Sequence, residues 1–146
     1  MIHLVDTGVL LRLVNRADPA HEEVRKCLRT LRGAGDQFAV SPQNIVEFWN
    51  VSTRPSTARG GYGLSASVTE HHLQVIERIC DVIPDSPNLY RVLRQPVVAH
   101  AVKGVQAHDA RLVAWMKTQA ISQIITFNVS DFTRYQDIIA KSPSDF

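Results

Sequence analysis

Residues 2–14 read IHLVDTGVLLRLV, and the hydrophobic period changes within them. Ile2–Val5 is a short apolar run of the kind a buried strand makes. It stops at Asp6, after which Val9, Leu10, Leu13 and Val14 fall at helical spacing. A strand that runs straight into a helix is the opening unit of an α/β sheet. Ligands of open α/β sheets bind beyond the carboxyl ends of the strands, so Asp6 is placed at that edge. The plainer role for the same residue is N-cap of the helix that follows.

The same punctuation recurs outward from this unit. Asp18-Pro19 predicts a helix start, with Asp capping and Pro in the first turn. Val24, Cys27, Leu28 and Leu31 then share one face, and Gly33 and Gly35 end the helix. Phe38–Val40 is predicted as a strand, and Ser41-Pro42 as the start of a helix reaching about Thr53. Residues 54–63, RPSTARGGYG, are predicted as a loop, and Ser65 or Ser67 restarts a helix. Val82-Ile83 predicts a short strand closed by Pro84, followed by a helix from Pro87 that Pro96 should break or kink. Lys103-Gly104 is a further break. A helix is expected over His108–Gln119, a strand over Ile124–Thr126, a short helix near 130–136 and an edge strand over 138–141. Strands alternating with helices predict a parallel sheet covered on both faces. No internal repeat, linker or low-complexity segment divides the chain, so residues 1–146 are expected to form one domain.

Composition narrows the class. The apolar fraction is 45% and the charged fraction 21%, ordinary values for a globular protein. No apolar run approaches the roughly 20 residues of a membrane span. The stretch MIHLVDTGVLL has no basic flank and carries an acid, unlike a secretory signal, so the cytoplasm is the expected compartment. Cys27 and Cys80 occupy apolar helix-like positions and are expected to be buried free thiols. A net charge of +2 neither marks nor excludes a nucleic-acid binder. Acids gathered into one site would leave the remaining surface more basic.

Four acids stand out by position. Asp6 ends the first strand. Glu47 has Gln43, Asn44 and Asn50 as helical neighbours, a polar stripe on an otherwise apolar helix that faces either solvent or a wet cleft. Asp109 has Leu112, Val113 and Met116 as neighbours, which places it on a buried face in a first helical turn. There the helix dipole favours a carboxylate as a cap, yet an unpaired buried charge is costly, and a metal or cleft explains it. Asp131 follows the last strong strand, and Asn128 competes with it as ligand or cap at the same edge. Mg²⁺ and Mn²⁺ want carboxylate and water oxygens, and two such ions about 3.5–4 Å apart cleave phosphodiesters. Acids crowded without metal should have raised pKa values.

The segments LVDTGVLL, SPQNIVEFWNV, HDARLVAWM and ITFNVSDF together resemble the PIN-domain ribonucleases, and among them the VapC-type toxins of toxin–antitoxin pairs. The resemblance spans essentially the whole chain. It implies an α/β/α sandwich with a mainly parallel sheet, and cleavage of RNA with one or two Mg²⁺ or Mn²⁺ ions. It implies that Asp6, Glu47 and Asp109 are the site acids, with Asp131 or Asn128 in a fourth position and Thr7 as a small polar neighbour of the first acid. A small antitoxin partner and a homodimer are further expectations of the resemblance.

Arg54 and Arg59 in the glycine-bearing loop are candidate phosphate contacts, or simply solvated. His108 is a candidate substrate contact or a capping histidine. Trp49 and Trp115 are expected in the core or at a dimer contact. The triplet Asp6-Thr7-Gly8 also matches aspartic proteases, but those are β-rich and pair two copies of it. An α/β phosphotransferase using Asp6 as nucleophile would want an acid at position 8, which is glycine here. A PIN fold that only binds RNA or protein would be expected to have lost an acid. A housekeeping nuclease of the same class remains an alternative to a toxin.

Overall fold

The computed structural model describes residues 1–146, and strand and helix alternate along it. β1 (Ile2–Val5) feeds α1 (Thr7–Val14), and α2 (His21–Gly33) leads to β2 (Gln37–Val40). α3 (Pro42–Thr53) and α4 (Ala66–Glu77) lead to β3 (Asp81–Val82). α5 (Leu89–Ala99) and α6 (Gln106–Thr118) lead to β4 (Gln123–Ile125). α7 (Val129–Phe132), β5 (Ile139–Lys141) and a 3₁₀ turn over Pro143–Asp145 complete the chain.

The five strands lie in the order β3-β2-β1-β4-β5, and every pairing is parallel. The mainly parallel sheet expected from the sequence is therefore wholly parallel. Successive side chains of a strand point to opposite faces. Leu4, Ala39 and Ile124 accordingly share one cluster with Leu89, Phe132 and the buried stretch of α6. Val5, Phe38, Val40 and Ile125 pack against α1–α4 on the other face. The result is a three-layer α/β/α sandwich. β1 and β4 are neighbours, yet the helices that follow them cover opposite faces. Such a switch point opens a crevice at the carboxyl ends of the two strands.

α6 is the most deeply set helix, with Leu112, Val113, Ala114, Trp115 and Met116 buried in succession. A helix buried around its circumference must have packed layers on both sides. Here they are the sheet and α5. Trp115 is thus core, whereas Trp49 is half-buried. Cys27 and Cys80 are free and buried, and burial pushes their thiols up to about 11 and about 12.

Several local expectations shift. α2 begins at His21, not at Asp18-Pro19, because Asp18 Oδ1 accepts the Ala20 amide at 2.8 Å and closes a turn first. α5 runs through Pro96 rather than stopping there. Pro96 lies in the final turn, where only its own helical hydrogen bond is forfeited, and the helix ends at Ala99. α6 starts at Gln106, two residues before His108. β4 is Gln123–Ile125, which leaves Thr126 just past the strand end. Of the two candidate caps for α4, Ser65 is the one used, accepting from Val68 N–H at 3.2 Å. No helix is long and apolar enough to cross a membrane.

Candidate metal centre at the carboxyl edge of the sheet

Asp6 is the N-cap of α1, and its carboxylate also faces the switch point. Oδ1 accepts the Thr7 amide at 2.7 Å, and Oδ2 accepts the Thr126 hydroxyl at 2.6 Å. The β1–β4 register sets this up: Val5 lies opposite Ile125, so Asp6 and Thr126 are the next residues out on neighbouring strands. The Asp6 amide donates to the Ile125 carbonyl at 3.0 Å and holds that alignment. Thr126 in turn accepts the Asn128 amide at 3.0 Å.

Glu47 reaches the same edge from α3. Ser41 and Asn44 form a reciprocal capping box that fixes the start of this helix. The Thr7 hydroxyl donates to Glu47 Oε2 at 2.9 Å while accepting from Asn44 Nδ2 at 3.2 Å. Gln43 Nε2 donates to Glu47 Oε1 at 2.8 Å and to the His108 carbonyl at 2.9 Å. Arg111 completes the network, donating to Gln43 Oε1 at 2.9 Å and to Asp85 Oδ2 at 2.6 Å.

Asp109 stands in the first turn of α6, above its buried neighbours Leu112, Val113 and Met116. Thr7, Gln43, Glu47, Asn50, His108, Asp109 and Arg111 line an open cleft of about 740 Å³. Burial, then the charges of Asp131, Asp6 and Glu47, push the Asp109 carboxyl up to about 6, with His108 opposing. Burial raises Asp6 as well, against the hydrogen bonds from Thr126 and Thr7, and Glu47 and Asp131 add to the rise. At both residues burial is the larger cause and the neighbouring acids add to it.

The sequence profile of the PIN domain matches residues 3–138. The chain belongs to the PIN-domain family. No curated protein sequence matches it at a significant level. Its fold is shared with solved structures at low identity. VapBC2 from Rickettsia felis, bound to a promoter DNA fragment, has a TM-score of 0.71 at 16% identity, covering 97% of this chain and 98% of that one. VapC20 of Mycobacterium tuberculosis, described as a sarcin-ricin loop cleaving toxin, gives 0.67 at 18%, covering 92% and 95%. A toxin–antitoxin complex from Klebsiella pneumoniae gives 0.63 at 18%, covering 94% and 95%.

In this PIN domain the structure brings Asp6, Thr7, Glu47, His108 and Asp109 to one edge. Asp131 lies in the first turn of α7, exposed, and its charge is felt at both Asp6 and Asp109. Asn128 is the N-cap residue of α7; its side chain is exposed and makes no capping bond. Arg54 ends α3 and Arg59 sits exposed in the loop with φ 40, and neither lines the cleft. Four participants went unassigned in the sequence: Asn44, Gln43, Arg111 and Thr126. For Thr126 a signal existed, since a hydroxyl residue follows Ile124-Ile125 at the end of a strand beside β1.

The donor set is all hard oxygen, which suits Mg²⁺ or Mn²⁺. No three His, Cys, Asp or Glu side chains converge into a closed cluster. Asp6 is held by Thr7 and Thr126, and Glu47 by Thr7 and Gln43. Mg²⁺ tolerates such an open set, because it keeps several waters and takes only one or two protein carboxylates.

Proposed function

We propose that this PIN domain is a Mg²⁺- or Mn²⁺-dependent endoribonuclease and the toxin of a toxin–antitoxin pair. The observation that carries the reading is the convergence of acids on one sheet edge: Glu47 and Asp109 line the cleft, and Asp6 lies beside it, its neighbour Thr7 bonded to Glu47. A divalent cation is the natural counter-charge for such a set. Asp6 and Asp109 would hold the main ion. Glu47 would bind it directly or through water, and Asp131 would complete the shell or serve a weaker second ion, with Asn128 as the alternative. The bound ion supplies an activated water and a counter-charge for the leaving oxygen of a phosphodiester.

The chain's own residues then orient and neutralise. Thr7 and Thr126 lock the rotamers of Glu47 and Asp6, and His108 stands beside Asp109 at the cleft wall. Water attacks phosphorus in line, the bond to the 3′ oxygen breaks, and the products are a 5′-phosphate and a 3′-hydroxyl. The toxin role and a small antitoxin partner are supported by the VapC-type sequence motifs and by the fold shared with VapBC assemblies; a homodimer rests on the sequence resemblance alone. The neighbour VapC20, described as a sarcin-ricin loop cleaving toxin, supports RNA as substrate.

Purified protein is expected to cleave single-stranded RNA when Mg²⁺ or Mn²⁺ is added and to stop when EDTA is added, read by gel electrophoresis of end-labelled RNA. Cleavage that persists in EDTA removes the metal from the account. No cleavage with either ion removes the nuclease. A small protein encoded beside this chain that binds it and stops the cleavage is expected of a toxin, and its absence favours a housekeeping nuclease.

A further inference from the structure

The two acid-bearing helices α3 and α6 face each other across the cleft with little direct packing. α3 packs on α1 and α4, whereas α6 packs on α5 and α7. Their hydrogen bonds to one another all run through the Gln43 amide. Its Nε2 donates to Glu47 Oε1 on its own helix and to the His108 carbonyl on α6, at 2.8 and 2.9 Å. Its Oε1 accepts from Arg111 Nη1 at 2.9 Å. These partners fix which way the amide points. Reversed, its oxygen would meet two acceptors and its NH₂ would meet a cation. Gln43 is largely buried at the cleft wall, so the reversed amide would forfeit these bonds at a cost. Arg111 is itself anchored from the β3–α5 segment by Asp85.

We propose that Gln43, oriented by Arg111, is a positioning residue that fixes Glu47 relative to the α6 turn carrying Asp109. The inference rests on reading the cleft as a metal-dependent nuclease site. Gln43 acts only through Glu47 and the backbone beside Asp109. With Gln43 in place, Glu47 has one oxygen held by Thr7 and the other by Gln43, so its rotamer is set before any ion arrives. Outer partners of metal ligands typically change metal affinity or activity by about 10–100-fold when removed.

The test compares Gln43→Ala, Arg111→Ala and Asp85→Ala with the wild type, each checked for an unchanged melting temperature. Mn²⁺ affinity of the RNA-free protein is read from the electron paramagnetic resonance of free Mn²⁺. It should fall at least about tenfold in Gln43→Ala and by a smaller factor in Arg111→Ala. Asp85→Ala should stay within about twofold, because the Arg111–Asp85 pair is 30% and 36% exposed. In metal-free Gln43→Ala, amide exchange over residues 106–109 should quicken while β1 and β4 keep their rates. Arg111 is half-exposed, so its variant serves if Gln43→Ala does not fold. Unchanged Mn²⁺ affinity in the folded variants overturns the proposal whatever exchange shows, since a bridge that merely ties helices loosens α6 without touching the ion. If the wild type itself binds no Mn²⁺, the nuclease reading falls and the positioning role falls with it, a result distinct from unchanged affinity in the variants.

Discussion

Asp109→Asn is expected to abolish RNA cleavage and, at pH 7.5 without metal, to raise the melting temperature. Cleavage is lost because a proposed metal-holding carboxylate is gone; the melting effect comes from the carboxylate's charge. The Asp109 carboxyl is pushed up to about 6, first by burial and then by Asp131, Asp6 and Glu47. Its folded pKa lies above the unfolded value, so the folded protein holds that proton more tightly than the unfolded chain does. Its favourable contribution is complete below the unfolded pKa near 3.8, declines as pH rises, and is gone above about 6. At neutral pH the wild type therefore carries an unwelcome charge that asparagine removes. Asp109 is only half-buried, so solvent screening reduces the gain to a few °C. The two proteins should melt together near pH 4. Adding Mg²⁺ should reverse their order at pH 7.5, because an ion that binds only the folded wild type stabilises it by mass action. A variant that still cuts RNA, or that melts below the wild type without metal at pH 7.5, contradicts this account of Asp109.

Trp115→Ala is expected to be the most destabilising single change considered, costing about 3–5 kcal/mol. That is a large share of a typical total of about 5–15 kcal/mol. Trp115 is fully buried on α6, in the cluster that joins this helix to Leu4 and Ile124 of the sheet. Trp115→Phe should behave differently. The indole Nε1–H is buried with no hydrogen-bond partner, and an unmet buried donor costs about 1–3 kcal/mol. Phenylalanine leaves a smaller void than alanine and removes that donor, so the two changes partly offset. Its net cost should stay below about 1.5 kcal/mol. Urea unfolding with an unchanged slope measures both variants. A phenylalanine variant as unstable as the alanine one would mean that the indole is satisfied.

The layered fold was legible because its signals are local. The change of period at Asp6 and the apolar Ile124-Ile125 run each mark a strand end without reference to distant residues. Asp109 was legible for the same reason, since Leu112, Val113 and Met116 betray the buried face of its own helix. What escaped notice depends on pairing between distant segments. Thr126 becomes a partner of Asp6 only through the β1–β4 register, across 120 residues. The Asp85–Arg111–Gln43–Glu47 chain joins a loop to two helices, and no spacing rule connects them. Asp18-Pro19 misled because an Asp side chain caps a turn as readily as a helix. Arg54 and Arg59 belong to the loop after α3 and are not among the residues that line the cleft.

The central claim is that Asp6 and Asp109 jointly hold a divalent cation, with Glu47 close by. Manganese soaked into crystals of the wild type, with data collected near the Mn absorption edge, tests it most directly. An anomalous peak between the Asp6 and Asp109 carboxylates, absent from Asp109→Asn crystals treated alike, is the predicted result. No peak in the cleft at a Mn²⁺ concentration that supports cleavage, or a peak held by other residues, would contradict it.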